Sequence, residues 1–145
     1  TKNAINSDVD EIDMVMNVSA FKSGDIKYVQ DEIKEVVNAS NGRIVKVLIE
    51  ACYLTDNEKV TAVEMIIKNG ASFVKTSTGF GKHGATMKDV LLLSKTANNR
   101  IKVKASGGIK DLDTALKMIN AGASRIGTSS GIEIIKEAAL QGYSL

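Results

Sequence analysis

The chain has 145 residues, 43% hydrophobic and 25% charged, which excludes a disordered, collagenous or disulfide-scaffold protein. Nineteen basic against seventeen acidic side chains leave +2, too little for a broad nucleic-acid-binding field or a polyanionic tail. No apolar run approaches the ~20 residues of a bilayer span, no charged-then-apolar leader opens the chain, and the lone Cys52 points to a reducing, cytoplasmic compartment.

The opening TKNAINSDVD reads as the end of a helix. Residues 11–17 (EIDMVMN) predict a strand, and 25–39 a helix with Ile26, Val29, Ile33, Val36 and Val37 in one stripe. A second strand follows at 44–50 (IVKVLIE). A helix at 56–69 carries Val60, Val63, Ile66 and Ile67 and stops at Asn69-Gly70. Then come a strand at 72–76 (SFVKT), a helix at 88–97, a strand at 101–105 (IKVKA) and a helix at 111–120. A last strand at 125–128 (RIGT) and a helix at 131–140 close the chain. NGASFVKT and AGASRIGT repeat one helix-to-strand step. Proline is absent, so the twelve glycines carry most of the turn chemistry.

Alternating strands and helices predict right-handed parallel βαβ units. Five such units fit either an open doubly wound sheet or an arc of a (β/α)8 TIM barrel. Buried parallel strands should be almost wholly apolar, yet each of the first four carries charge on one face. Glu11 and Asp13 share a face, as do Lys46 and Glu50, and Lys102 and Lys104, while Lys75 shares one with Phe73. In an open sheet those charges would press against helices at several kcal/mol each. Around a barrel axis they converge and pair, so the barrel is expected. A barrel needs eight strands. The chain is therefore read as a single domain over 1–145, a partial barrel lacking the first three βα units.

Two strand lysines carry the chemistry. Lys75 ends the third strand and Lys104 sits level with it on the fourth, and each is followed by a glycine-rich loop. C-terminal strand ends face the active site in barrels. A neighbouring like charge and burial both lower a lysine pKa, and a neutral amine attacks a carbonyl to form a Schiff base. The alternative is a pair of snorkelling lysines matched to carboxylates. Asp13 is the expected third member, holding a lysine and relaying protons through water, or else forming a structural ion pair. Lys46 and Glu50 are expected to extend that network.

Gly107-Gly108 and the run 127–131 (GTSSG) each follow a strand and precede a helix. Exposed N–H groups at such helix starts bind phosphate, with Ser129 and Ser130 as further donors. Ordinary tight turns are the alternative. No lysine-ended P-loop or G-x-G-x-x-G occurs, which argues against a nucleoside triphosphate or dinucleotide. His83 reads as an exposed loop residue, Cys52 as a half-buried structural thiol, and Tyr143 as part of an unanchored tail.

The stretches EIDMVMN, KVLIE, FVKTSTGF, VKASGGI and RIGTSSG, in that order from Glu11 to Ile135, resemble the deoxyribose-phosphate aldolases. The resemblance implies a class I aldolase without cofactor or metal on a (β/α)8 barrel. Such an enzyme reversibly cleaves 2-deoxyribose 5-phosphate to acetaldehyde and glyceraldehyde 3-phosphate in deoxyribose phosphate catabolism. It makes Lys75 the Schiff-base lysine, Lys104 its tuning partner and Asp13 the acid–base carboxylate. It makes Gly79, Gly107, Gly108, Gly127, Ser129 and Ser130 the phosphate cradle. The family often ends in a functional tyrosine, whereas Tyr143 is followed by Ser144 and Leu145. The expected partners are a small sugar phosphate and a second copy of the chain in a homo-oligomer, a dimer. The bond expected to break is C3–C4. The rival readings are another Schiff-base sugar-phosphate aldolase or transaldolase, and an inactive phosphate-binding barrel fragment.

Overall fold

The structure, a computed structural model, describes residues 1–143. Five strands run β1 (Glu11–Val15), β2 (Ile44–Leu48), β3 (Phe73–Lys75), β4 (Lys102–Ser106) and β5 (Arg125–Gly127). They form one parallel sheet in sequence order, β1-β2-β3-β4-β5. A doubly wound sheet reverses its order at a switch point. This one does not, and its helices pack on one face, as in an arc of a barrel.

The helices are α1 (Lys2–Asn6), α2 (Val18–Lys22), α3 (Ile26–Ala39), α4 (Asp56–Lys68), α5 (Met87–Ala97), α6 (Leu112–Asn120) and α7 (Gly131–Leu140). Ile12, Val45, Val47, Val74, Val103 and Ala105 point from the strands into one core shared with α3 to α7. Val29 and Ile33 answer from α3, Val63 and Ile66 from α4, Val90 and Leu93 from α5. Each such fully buried aliphatic contributes roughly 2 kcal/mol. The opposite face of the strands carries Asp13, Lys46, Phe73, Lys75 and Lys104.

Local chemistry sets the helix starts. Thr55 and Glu58 form a reciprocal capping box on α4. Thr86 caps α5 and Asp111 caps α6 by accepting from backbone N–H groups. The Lys59 ammonium, buried between α4 and α5, donates to Asp89 at 2.6 Å and ties the two helices.

Several strand ends differ from the sequence expectation. β1 stops at Val15 because the Asn17 side chain accepts from Ala20 N–H and starts α2, a short helix without a clear apolar period. β2 stops at Leu48 because Glu50 adopts a left-handed conformation ahead of a single 3-10 turn, Ala51–Tyr53. β3 and β5 are shorter than expected, and β4 runs one residue later, to Ser106. Ser144 and Leu145 lie outside the described residues.

Candidate active site

Register brings the charged side chains together. Asp13 pairs with Lys46 across β1 and β2, and Lys75 pairs with Lys104 across β3 and β4. Lys75 Nζ donates to Asp13 Oδ2 at 2.8 Å, and Lys46 Nζ donates to Asp13 Oδ1 at 2.9 Å. Lys104 Nζ lies 3.8 Å from the same Oδ2 that holds Lys75. Both lysines therefore address one carboxylate oxygen on one face of the sheet.

The charges settle by competition between burial and pairing. Burial works to raise the Asp13 pKa, but hydrogen bonds from Lys75 and Lys46 outweigh it and hold the carboxyl at about 2. Burial works against the Lys46 ammonium, yet hydrogen bonds to Glu11 and Asp13 push its pKa up. Lys104 is pushed down, first by burial and then by the charges of Lys75, Lys46 and Arg125, against the pull of Asp13. The crowding expected of the lysine pair thus lowers Lys104.

Beneath this cluster lies a layer that the sequence reading did not pair. Arg125 reaches across from β5 to Glu11 on β1, with N···O distances of 2.8 and 2.6 Å. Hydrogen bonds from Arg125 and Lys46 hold the Glu11 pKa at about 2. The Arg125 guanidinium also lies 4.8 Å from the Phe73 ring centre. Alternation along β1 placed Glu11 on the correct face, but no local signal joins it to a residue 114 positions away.

A pocket of about 570 Å³ opens at the C-terminal ends of β3, β4 and β5. Lys75 lines it together with Gly79, Gly107, Gly108, Gly127 and Ser129. Thr78 and Thr128 also line it, from within the motifs FVKTSTGF and RIGTSSG, as does Lys110, one residue beyond VKASGGI; none of the three stands out by strand position. Larger cavities occur elsewhere, away from Lys75; of the cluster only Lys75 reaches this pocket's wall, and Lys104, Lys46 and Asp13 do not line it. Two glycines shape the wall. Gly107 has a φ of +86°, and a Cβ on Gly84 would stand 2.0 Å from Gly107 O, so the 79–84 loop closes directly on the 107 loop. Behind them, Thr76 Oγ1 donates to Ser106 O at 3.1 Å and Ser106 Oγ donates to Ser77 O at 2.6 Å, a buried clasp between the loops that follow the two lysines.

Several expectations are corrected. Glu50 does not join the lysine network: its carboxylate accepts from Thr78 N–H at 2.9 Å and from the Thr78 hydroxyl. The left-handed turn at Glu50 swings its side chain off the lysine face. Ser130 does not line the pocket; its N–H donates to Thr128 Oγ1. The two helix starts are unequal, since Asp111 already occupies the start of α6 whereas α7 carries no side-chain cap. His83 is exposed and Cys52 half-buried, with the thiol unbridged. Tyr143 is 48% exposed and its backbone N–H donates to Ala138 O, so the residue is tied to the end of α7 rather than over the pocket.

Residues 1–137 match the model of the DeoC/LacD family aldolases. A deoxyribose-phosphate aldolase from Dictyoglomus turgidum is 60% identical over 126 residues, 87% of this chain and 58% of its own length. The solved aldolase QR15 superposes with a TM-score of 0.93 at 48% identity, covering 97% of this chain and 63% of its own. A tetrameric deoxyribose phosphate aldolase from Aeropyrum pernix superposes with a TM-score of 0.82 at 31% identity, covering 94% and 57% respectively. The chain therefore spans about three fifths of the length of these relatives. None of the described helices is long and apolar enough to cross a membrane.

Proposed function

The chain belongs to the DeoC/LacD aldolase family, and on that premise we propose that its protein is a deoxyribose-phosphate aldolase working through a Schiff base on Lys75. The observation that carries the reading is the pair of amines sharing one Asp13 oxygen beside a glycine-walled pocket. The five βα units are read as the later part of an eight-stranded barrel. The substrate is 2-deoxyribose 5-phosphate, a choice supported by the relatives, which are deoxyribose-phosphate aldolases. A cytoplasmic location rests on the lone cysteine. A homo-oligomer draws support from the Aeropyrum pernix tetramer, and a dimer is its simplest form.

Lys75 Nζ must first lose a proton. Asp13, held at about 2, is a poor acceptor at neutral pH. Lys104, pushed down by burial and like charge, is the better one. The free Lys75 amine adds to the C1 aldehyde, and loss of water leaves a protonated imine. A base takes the proton of the C3 hydroxyl as the C2–C3 electron pair moves into the imine. Atom balance requires this bond rather than the C3–C4 bond expected from the sequence, because acetaldehyde carries C1 and C2 and glyceraldehyde 3-phosphate carries C3 to C5. The enamine is protonated at C2, and water releases acetaldehyde and restores Lys75. The glycine loops and the uncapped start of α7 hold the phosphate throughout.

Borohydride with substrate traps a covalent adduct, and mass mapping locates it on Lys75. Lys75→Ala removes the adduct. Normal trapping in that variant assigns the nucleophile elsewhere. A panel of sugar phosphates separates this activity from other Schiff-base aldolases.

A further inference from the structure

We propose that Glu50 is a positioning residue: its buried carboxylate seats the loop after Lys75 and fixes the Thr78 hydroxyl as a hydrogen-bond acceptor facing the substrate. The proposal rests on the aldolase reading above and extends it to a residue outside the lysine cluster.

The backbone points to Glu50 first. Five non-glycine residues of the described chain have positive φ: Asp8, Asn41, Asn98, Asn99 and Glu50. Short Asp and Asn side chains tolerate this region through local hydrogen bonds. Glu50, at φ 49° and ψ 61°, is the exception. Strain at a long side chain signals a requirement met elsewhere.

That requirement is the redirection of the carboxylate. Ala51 N–H still donates to Thr76 O at 2.8 Å, so the turn leaves the backbone of β2 tied to the segment after β3. An extended residue at position 50 would share the face of Lys46 and Leu48. The left-handed turn instead sends the side chain to the loop after Lys75. There Glu50 is only 7% exposed, and no ion pair among the described residues involves it. A buried carboxylate without a cation needs donors on both oxygens. Thr78 supplies both, its backbone N–H to Oε1 and its hydroxyl to Oε2.

The consequence falls on Thr78. Its proton is committed to Glu50, and its oxygen accepts from Phe80 N–H at 3.1 Å. The lone pair that remains can only accept. Thr78 lines the pocket beside Lys75, so a substrate hydroxyl reaching it must donate. The loop has little freedom to drift from this arrangement. A Cβ on Gly81 would meet Cys52 Sγ at 2.8 Å and Glu50 Cδ at 3.3 Å, so its backbone already rests on both side chains.

The test compares Glu50→Gln with the parent in the full-length enzyme. Glutamine keeps the shape but must turn an NH2 group towards one of the two Thr78 donors. KM for 2-deoxyribose 5-phosphate rises about tenfold, the worth of one lost hydrogen bond, while kcat falls less. Borohydride trapping of acetaldehyde, which has no hydroxyl to donate to Thr78, changes less than about twofold, because the lost hydrogen bond is one that this aldehyde never makes. Thr78→Val raises KM in the same way and carries the test if Glu50→Gln does not fold. The double variant is no worse than the weaker single one, because both cut one link. An unchanged KM, a parallel loss of acetaldehyde trapping, or losses that multiply would each overturn the proposal. If the parent itself traps no aldehyde on Lys75, the aldolase reading fails, and that result is distinct from any of these.

Discussion

Asp13 is the hinge of the residue-scale chemistry, because three lysine side chains converge on its two oxygens. Its carboxyl stands at about 2 in the fold against an ordinary 3.8. A depressed carboxylate pKa stabilises the fold above the unfolded value and loses that contribution as pH falls through the folded one. Stability is therefore expected to fall between about pH 4 and pH 2 in part through Asp13, and urea midpoints for Asp13→Asn should be flatter across that interval than those of the parent. Side-chain exposure of 35% screens the effect and keeps it modest. Lys104 makes a separate prediction. Lys104→Met removes the proposed proton acceptor but not the proposed nucleophile, so single-turnover trapping is expected to slow about 10²-fold while the adduct still maps to Lys75. An adduct formed at the parental rate removes Lys104 from the proton path.

At the scale of single elements, caps and close glycine contacts do what the apolar pattern cannot. The α4 capping box makes two reciprocal bonds, Thr55 N–H to Glu58 and Glu58 N–H to Thr55. Thr55→Ala should cost about 1 kcal/mol of unfolding free energy, read by urea denaturation, with aldehyde trapping on Lys75 unaltered. The contact between Gly84 and Gly107 is of another kind. Any side chain at 84 enters the space of the Gly107 carbonyl, 2.0 Å from the added carbon. Gly84→Ala therefore moves backbone against backbone, and inhibition by inorganic phosphate should weaken about tenfold, as expected for one displaced hydrogen bond. Unchanged phosphate inhibition separates that loop from the phosphate site.

Across the molecule, the arc has two edges, β1 and β5, joined on the concave side through Glu11 and Arg125. Val15 on β1 is 55% exposed, and Asp13 opens to solvent on the same face. A reaction that depends on exact placement of Lys75 and substrate loses about 10²-fold for an ångström of slack. The 145 residues expressed alone should therefore release acetaldehyde at least about 10²-fold more slowly than a full-length relative. Comparable turnover would show that the five units hold the lysines as firmly without further strands. Phosphate binding without turnover would match the inactive-fragment reading.

The number and order of the five βα units follow from alternating periodicity, and the polar strand faces from a spacing of two, because both are properties of neighbours along the chain. Lys75, Lys104 and Asp13 stood out for the same reason: charge inside an apolar strand is conspicuous in one dimension. Distances across the sheet were not legible. Glu11 and Arg125 meet only because the arc curves its first and last strands towards each other. Glu50 belongs to the lysine face by counting and leaves it through one left-handed residue, a dihedral choice that its side chain does not encode locally. Ser130 and Ser129 are adjacent in sequence, yet the bond from Ser130 N–H to Thr128 keeps only one of them on the pocket wall. Periodicity is written along the chain, whereas the partner of each charge depends on curvature and on single backbone turns that form only when the units pack together.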